Sequence, residues 1–215
     1  MTINKINSTF FSILIILVFS ISLPPVRQNC SIPLTGKAAA QSSYTSSPYK
    51  SKNAFISSVI NGKKRELVGL WLPNLTGLTV ENQPPGQPGY VSEAPLTATR
   101  FQLADYFGSI GLLAHAHFAG STLQQLEPGE IVSIIYGDGS VMDYQIVEIR
   151  KYQAVDPDDE HTAFFSITSE DEQLSQEALF YEIYSQPDRL VLQTCIMQNN
   201  DNRWGRKFII SEKTQ

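Results

Sequence analysis

The sequence predicts a mainly β protein, a small closed antiparallel β-barrel with one or two short helices. Three observations carry this. Short apolar runs of strand length recur between positions 55 and 211. Turn signals separate them, the strongest being Gly137-Asp138-Gly139 between the runs at 130–136 and 141–152. Only brief helical patterns interrupt the strands, so the strands must bury their apolar faces by closing on one another.

The elements are expected in this order. Residues 24–53 are rich in Pro, Ser, Gln and Tyr without periodicity and read as a linker. Residues 55–60 and 66–72 read as strands. Residues 73–87 read as irregular, with Pro84-Pro85-Gly86 as a turn. Phe101, Ala104 and Phe107 follow a three-residue step, which predicts a short helix over 97–107 stopped by Gly108. An apolar strand over 109–115 comes next, then the hairpin around Gly137-Asp138-Gly139. Ser169 and Glu172 form a capping box that predicts a helix over 169–184, with Leu174, Ala178, Tyr181 and Tyr184 on one face and Pro187 just past its end. Residues 190–195 and 207–211 form a closing strand pair around a polar loop at 198–203.

The leader is a separate matter. Residues 10–23 are mostly apolar, broken by Ser12, Ser20 and Ser22. As a helix they reach roughly 21 Å, short of a ~30 Å hydrocarbon core. That length suits a signal-peptide core, and Ala38-Ala39-Ala40 offers a cleavage site before Gln41. The alternative is an uncleaved membrane anchor at residues 10–23. Either one exports the rest of the chain. The expected organisation is therefore 1–40 signal peptide or N-terminal anchor, 41–53 linker and 54–215 catalytic domain, outside the cytoplasm at the cell envelope. Net charge is −5. The segment before Gln41 holds three basic and no acidic residues, so from Gln41 onward the charge is 13 minus 21, or −8. No basic footprint for nucleic acid is present, and charge alone does not draw the domain to anionic lipid.

The chemistry-bearing residues cluster near the end of the chain. Val191-Leu192-Gln193-Thr194-Cys195 ends one apolar segment, and Arg206, in Trp204-Gly205-Arg206-Lys207-Phe208, starts the next. A thiol becomes a nucleophile beside a cation, and the oxyanion it creates needs a donor. His115 ends the apolar run Leu112-Leu113-Ala114-His115. Two positions on, His117 would lie on the same face of a continuing strand and reads as a rim or substrate contact. Arg203 is the nearest rival to Arg206, with Lys207 a weaker one. His161, in the acidic turn 156–161, reads as structural, and that turn lacks the oxygen spacing of a dedicated calcium site. There are two cysteines, Cys30 in the leader and Cys195 in the domain, so cleavage would leave Cys195 alone as a core residue or a reactive thiol.

At these residues the chain resembles the sortases, cysteine transpeptidases of bacterial cell surfaces. Their Thr-Leu-x-Thr-Cys strand end is matched by Val191-Leu192-Gln193-Thr194-Cys195, with Val for the leading Thr. Their Arg opens the next strand, as Arg206 does. Their His ends an apolar strand, and His115 is followed by Phe118, Leu123, Leu126, Gly129 and Glu130, similar to the family's spacing. The resemblance runs from about residue 101 to 210. It implies a sortase-like barrel with catalytic His115, Cys195 and Arg206 at one mouth, Thr194, His117 and Trp204 in supporting or substrate-binding roles, and no metal or other cofactor. It implies as partners secreted proteins with a C-terminal sorting signal and an amine of peptidoglycan or pilin. The alternatives are a peptidase, an L,D-transpeptidase-like cysteine enzyme of the cell envelope, and an inactive sortase-like binding module. The second fits poorly, since its Ser-His-Gly-Cys motif is absent around Cys195.

Overall fold

The computed structural model describes residues 47–159, 161–168, 173–199 and 201–215. Eight strands close into a ring. They are β1 (Leu67–Leu72), β2 (Thr76–Asn82), β3 (Thr97–Phe101), β4 (Ile110–Ala114), β5 (Ile131–Tyr136), β6 (Val141–Ala154), β9 (Arg189–Gln198) and β10 (Asp201–Lys213). Around the ring the order is β10-β9-β4-β3-β2-β1-β5-β6, and β6 pairs back onto β10. Two short strands, β7 (Phe164–Ser166) and β8 (Gln173–Leu174), extend the sheet from β6. The barrel is mainly antiparallel, with two parallel pairs, β2–β3 and β4–β9. Among the described residues four helical segments accompany it: α1 (Lys52–Val59), α2 (Gln102–Asp105), α3 (Gly120–Leu123) and α4 (Gln176–Tyr184).

Alternation along the strands gives the wall two apolar faces. Leu70, Leu72, Leu78, Leu112, Ala114, Ile134, Leu192 and Ile209 fill the interior. Leu113, Tyr152, Ala154, Val191, Phe208 and Ile210 point outward beneath α4, which lays Leu179, Ile183 and Tyr184 on them. The Tyr184 hydroxyl donates to Gln193 Oε1 at 2.7 Å, so this ring is buried with its polar end satisfied.

Several elements differ from the sequence expectation. Residues 55–59 are helical, because Ser51 accepts from the Ala54 amide at 3.2 Å and caps α1. The expected helix over 97–107 is strand β3 followed by the four-residue α2. The threonines at 97 and 99 suit a pleated surface, and the three-residue step holds only from Phe101 to Ala104. The stretch expected to be irregular holds β2, whose Gly77 and neighbouring Asn74 and Pro73 mask an alternating pattern; the turn at Pro84 is present, with the Gln87 amide donating to Pro84 O at 3.1 Å. The capping box at Ser169 and Glu172 lies outside the described residues. The helix begins at Gln176, capped by Ser175, whose hydroxyl accepts from the Ala178 amide at 3.1 Å, and its buried face is Leu179, Ile183 and Tyr184 in place of Ala178 and Tyr181. The polar loop at 198–203 is shorter than expected, since β9 continues to Gln198 and β10 starts at Asp201.

On the outer wall at β1 and β2, α1 is fastened by one ring. Phe55 is fully buried against Gly69 and Gly77, flanked by Tyr49 and Trp71. A Cβ at Gly69 would lie 2.9 Å from that ring, and one at Gly77 would overlap it. Lys52 adds an ion pair to Asp143 at 3.1 Å. Phe55→Ala is expected to destabilise the protein by about 3 kcal/mol, read as a lower denaturation midpoint with an unchanged or slightly altered slope.

Candidate active site

Register brings three residues together that are far apart in the chain. β4 runs parallel to β9 with Leu113 beside Gln193 and Ala114 beside Thr194. The next step along both strands is His115 and Cys195. β10 runs antiparallel to β9 with Arg206 directly opposite Cys195. Laterally paired residues share a face, and strands lie about 4.8 Å apart. Cys195 and Arg206 therefore continue the outward-facing set of Gln193 and Phe208, and His115, just past the end of β4, lies beside Cys195 at the same end. A shallow pocket at this end of the barrel is lined by Val91, Leu113, Ala114, His115, Gln193, Thr194 and Cys195.

His115 is half-buried and its Nε2 lies 3.2 Å from Val91 O. A carbonyl only accepts, so this contact holds the proton on Nε2 and leaves Nδ1 to exchange a proton in the neutral ring. Burial lowers the His115 pKa below its ordinary 6.5, against the upward pull of the Val91 carbonyl and Glu93 and with a small further lowering from His117. The Val91 carbonyl is itself set in place by the connection between β2 and β3. Buried Gln83 donates to Pro88 O at 2.6 Å and Tyr90 O at 3.2 Å, and the Ser92 amide donates to Thr99 Oγ1 at 2.8 Å. Gln83 carries no signal in the sequence, because a single glutamine in a polar loop resembles any surface residue.

Cys195 is 4% exposed. Its carbonyl accepts from Gln124 Nε2 at 2.9 Å. Its sulfur is engaged in a disulfide; the other cysteine of the sequence, Cys30, lies outside the described residues. Nucleophilic chemistry at Cys195 belongs to the reduced protein.

Arg206 is half-buried, its guanidinium 5.8 Å above the centre of the Phe164 ring. Its Nη1 donates to Gly205 O at 3.0 Å and Arg203 O at 3.5 Å. Burial brings its pKa down to about 10, partly offset by Asp201, so it is still cationic at neutral pH. Its two rivals lie elsewhere. Arg203 is tied to Asp158 at 2.6 Å and Asp201 at 3.3 Å. Lys207, one residue further along β10, points into the barrel. Trp204 is half-buried two residues before Arg206, in the stretch where the β9–β10 register slips.

His117 departs from its expected place. β4 stops at Ala114, and the chain turns at once, with the Phe118 and Gly120 amides donating to His115 O at 3.0 and 2.9 Å. The two-residue alternation ends there, and His117 is exposed in the turn. His161 is exposed in the acidic turn, its amide donating to Asp159 Oδ1 at 2.8 Å. No cluster of His, Cys, Asp or Glu suited to a metal occurs among the described residues. Nor does any helix among them have the length and apolarity to cross a membrane.

Thr194 faces inward, 1% exposed, and its hydroxyl has no hydrogen-bond partner among the described residues. It presses on Gly120, where a Cβ would overlap Thr194 Oγ1 and lie 2.6 Å from His115 O. Gly120 thus permits the turn after His115 to sit against the end of β9.

No protein-family model matches the chain, and no curated protein matches it. Among solved structures it is similar to a pilus-related sortase C of group B Streptococcus, with 13% identity, a TM-score of 0.47 and coverage of 98% of this chain and 92% of that one. It is similar to sortase C-1 from Actinomyces oris, at 11% identity and TM-score 0.47, over 88% and 92% of the two chains. It is also similar to sortase A of Listeria monocytogenes, at 13% and 0.44, over 69% and 88%. Scores at this level assign no residue a role.

Gly120→Ala is expected to cost about 2 kcal/mol of stability through overpacking. The His115 side-chain resonances should shift with it in the NMR spectrum, because the clash falls on the His115 carbonyl.

Proposed function

We propose that the chain is a sortase-type cysteine transpeptidase of the cell envelope, with Cys195 as nucleophile, His115 as proton carrier and Arg206 as oxyanion donor. What supports the reading is that β10 pairs Arg206 opposite Cys195 and that His115 and Cys195 line one pocket.

In the reduced protein the Cys195 thiolate attacks a backbone carbonyl carbon of a sorting-signal peptide. A C–S bond forms and the carbonyl oxygen becomes an oxyanion, which accepts hydrogen bonds from Arg206. As the tetrahedral adduct collapses, the C–N bond breaks and the leaving amine takes the proton from the His115 imidazolium. The acyl group stays on sulfur as a thioester. An incoming amine of peptidoglycan or pilin then attacks the thioester, gives its proton to His115 and releases the thiolate. Water in place of the amine would yield hydrolysis, so peptidase activity is the side reaction of the same site. Thr194 sets the end of β9 against Gly120, Trp204 flanks Arg206, and His117 is a rim contact for substrate.

The complete Cys-His-Arg set favours this reading over the inactive binding module. The test incubates the reduced domain with LPXTG-like peptides and a small amine. A thioester adduct on Cys195 is expected by mass spectrometry, absent in Cys195→Ala. Equal turnover in wild type and Cys195→Ala would sink the mechanism. Arg206→Lys is expected to lower kcat/KM about 100-fold, since an ammonium cannot offer a planar fork. His115→Ala should abolish transfer while His117→Ala retains most of it.

The pH dependence rests on the same groups. Below the His115 pKa the imidazolium persists but the thiol is neutral. Well above the thiol pKa, the imidazole is neutral and cannot protonate the leaving amine. A bell-shaped profile of kcat/KM is expected. Burial lowers the His115 pKa, so the acid limb should lie below pH 6.5. An acid limb above that value, measured on the wild-type domain, would remove His115 from the role.

A further inference from the structure

The geometry points to Lys207 and Gln124 as a positioning pair that holds the end of β9 behind the nucleophile. This rests on the reading of Cys195 as the reacting residue. Lys207 sits on β10 opposite Thr194, so its side chain enters the barrel on the face away from Arg206. It is 3% exposed, yet carries an ammonium. Its Nζ donates to three backbone carbonyls, of Leu123 at 3.3 Å, Gln124 at 2.9 Å and Leu126 at 3.4 Å. An ammonium has three donors, and each has an acceptor here.

Those carbonyls belong to the last residue of α3 and the turn after it. That turn carries Gln124, whose side-chain amide reaches across to the Cys195 carbonyl at 2.9 Å. The backbone amide of Gln124 is fixed in turn by Gly120 O at 3.1 Å. A chain of contacts therefore runs from β10 through Lys207 to the α3 turn, and through Gln124 back to β9 at the reacting residue. Burying a charge is costly unless it is fully hydrogen-bonded, and an aliphatic residue at 207 would fill the interior without that cost. What the ammonium supplies in exchange is a fixed turn. Beyond Ala114, β4 no longer pairs with β9, so the Cys195 carbonyl is held on that side by Gln124. Neither residue touches substrate in this scheme; both act through the placement of Cys195.

Gln124→Ala and Gln124→Glu are the deciding variants, since Glu keeps the shape but, ionised, cannot donate to a carbonyl. In the reduced full-length protein both are expected to slow single-turnover acylation of Cys195 by about tenfold or more with KM unchanged. The pH midpoint of iodoacetamide alkylation at Cys195 should move from its wild-type value. Melting temperatures within a few degrees of wild type would accompany these changes. If Lys207→Met folds, combining it with Gln124→Ala should be no slower than the slower single variant, as expected for residues acting in one chain of contacts. Acylation within twofold of wild type and an unmoved alkylation midpoint for Gln124→Glu would overturn the proposal. Should wild type form no acyl adduct at all, the transpeptidase reading fails, and the alkylation midpoint alone judges the pair: a shift upholds it and no shift rejects it.

Discussion

The parallel pairing of β4 with β9 is the constraint on which the site depends. In an antiparallel pair the C-terminal ends of two strands lie at opposite edges of the sheet; in a parallel pair they lie together. Here the two C-terminal ends carry His115 and Cys195. The hairpin after β9 returns at the same edge, so Arg206 near the start of β10 falls opposite Cys195. One parallel neighbour and one hairpin neighbour are enough to bring together residues separated by 80 and by 11 positions in the sequence.

The two faces of the same wall then divide the labour. On β9 and β10, odd and even positions send Cys195 and Arg206 outward while Thr194 and Lys207 go inward. The outward side is capped by α4, β7 and the connection before β3, which withdraw His115 and Arg206 from water and lower both pKa values. The inward side is closed by α3 and its turn, with Lys207 satisfied by carbonyls in place of a carboxylate. Proton affinity is set on one face and backbone placement on the other. Each is tuned by burial of a cation, and each cation keeps its hydrogen-bond partners.

The barrel was legible in the sequence where turn chemistry and alternation agreed. Gly137-Asp138-Gly139 flanked by alternating runs marked β5 and β6, and the Cys195 and Arg206 segments marked β9 and β10. The misreadings share one physical cause: local pattern is outweighed by tertiary contact. Residues around Phe55 have the apolar density of a strand, but the packing of that ring over Gly69 and Gly77 requires the helix that Ser51 caps. Phe101, Ala104 and Phe107 show a helical three-residue step, but Thr97 to Phe101 is paired on both sides, by β2 and β4. Of the candidate site, His115, Cys195 and Arg206 stood out because their chemistry is rare and their flanking runs are distinctive. Gln83, Gln124 and the inward role of Lys207 did not, because an amide or an ammonium holding backbone carbonyls leaves no pattern until the fold supplies the carbonyls.

The docking of α1 has a consequence for orientation. In the eight-stranded ring β1 lies four places from β9 in either direction, and α1 rests on β1 and β2. Helix α1 thus packs on the wall diametrically across from Cys195. A load borne by α1 therefore falls on Phe55 and its two glycines, a full half-turn of the barrel from the mouth.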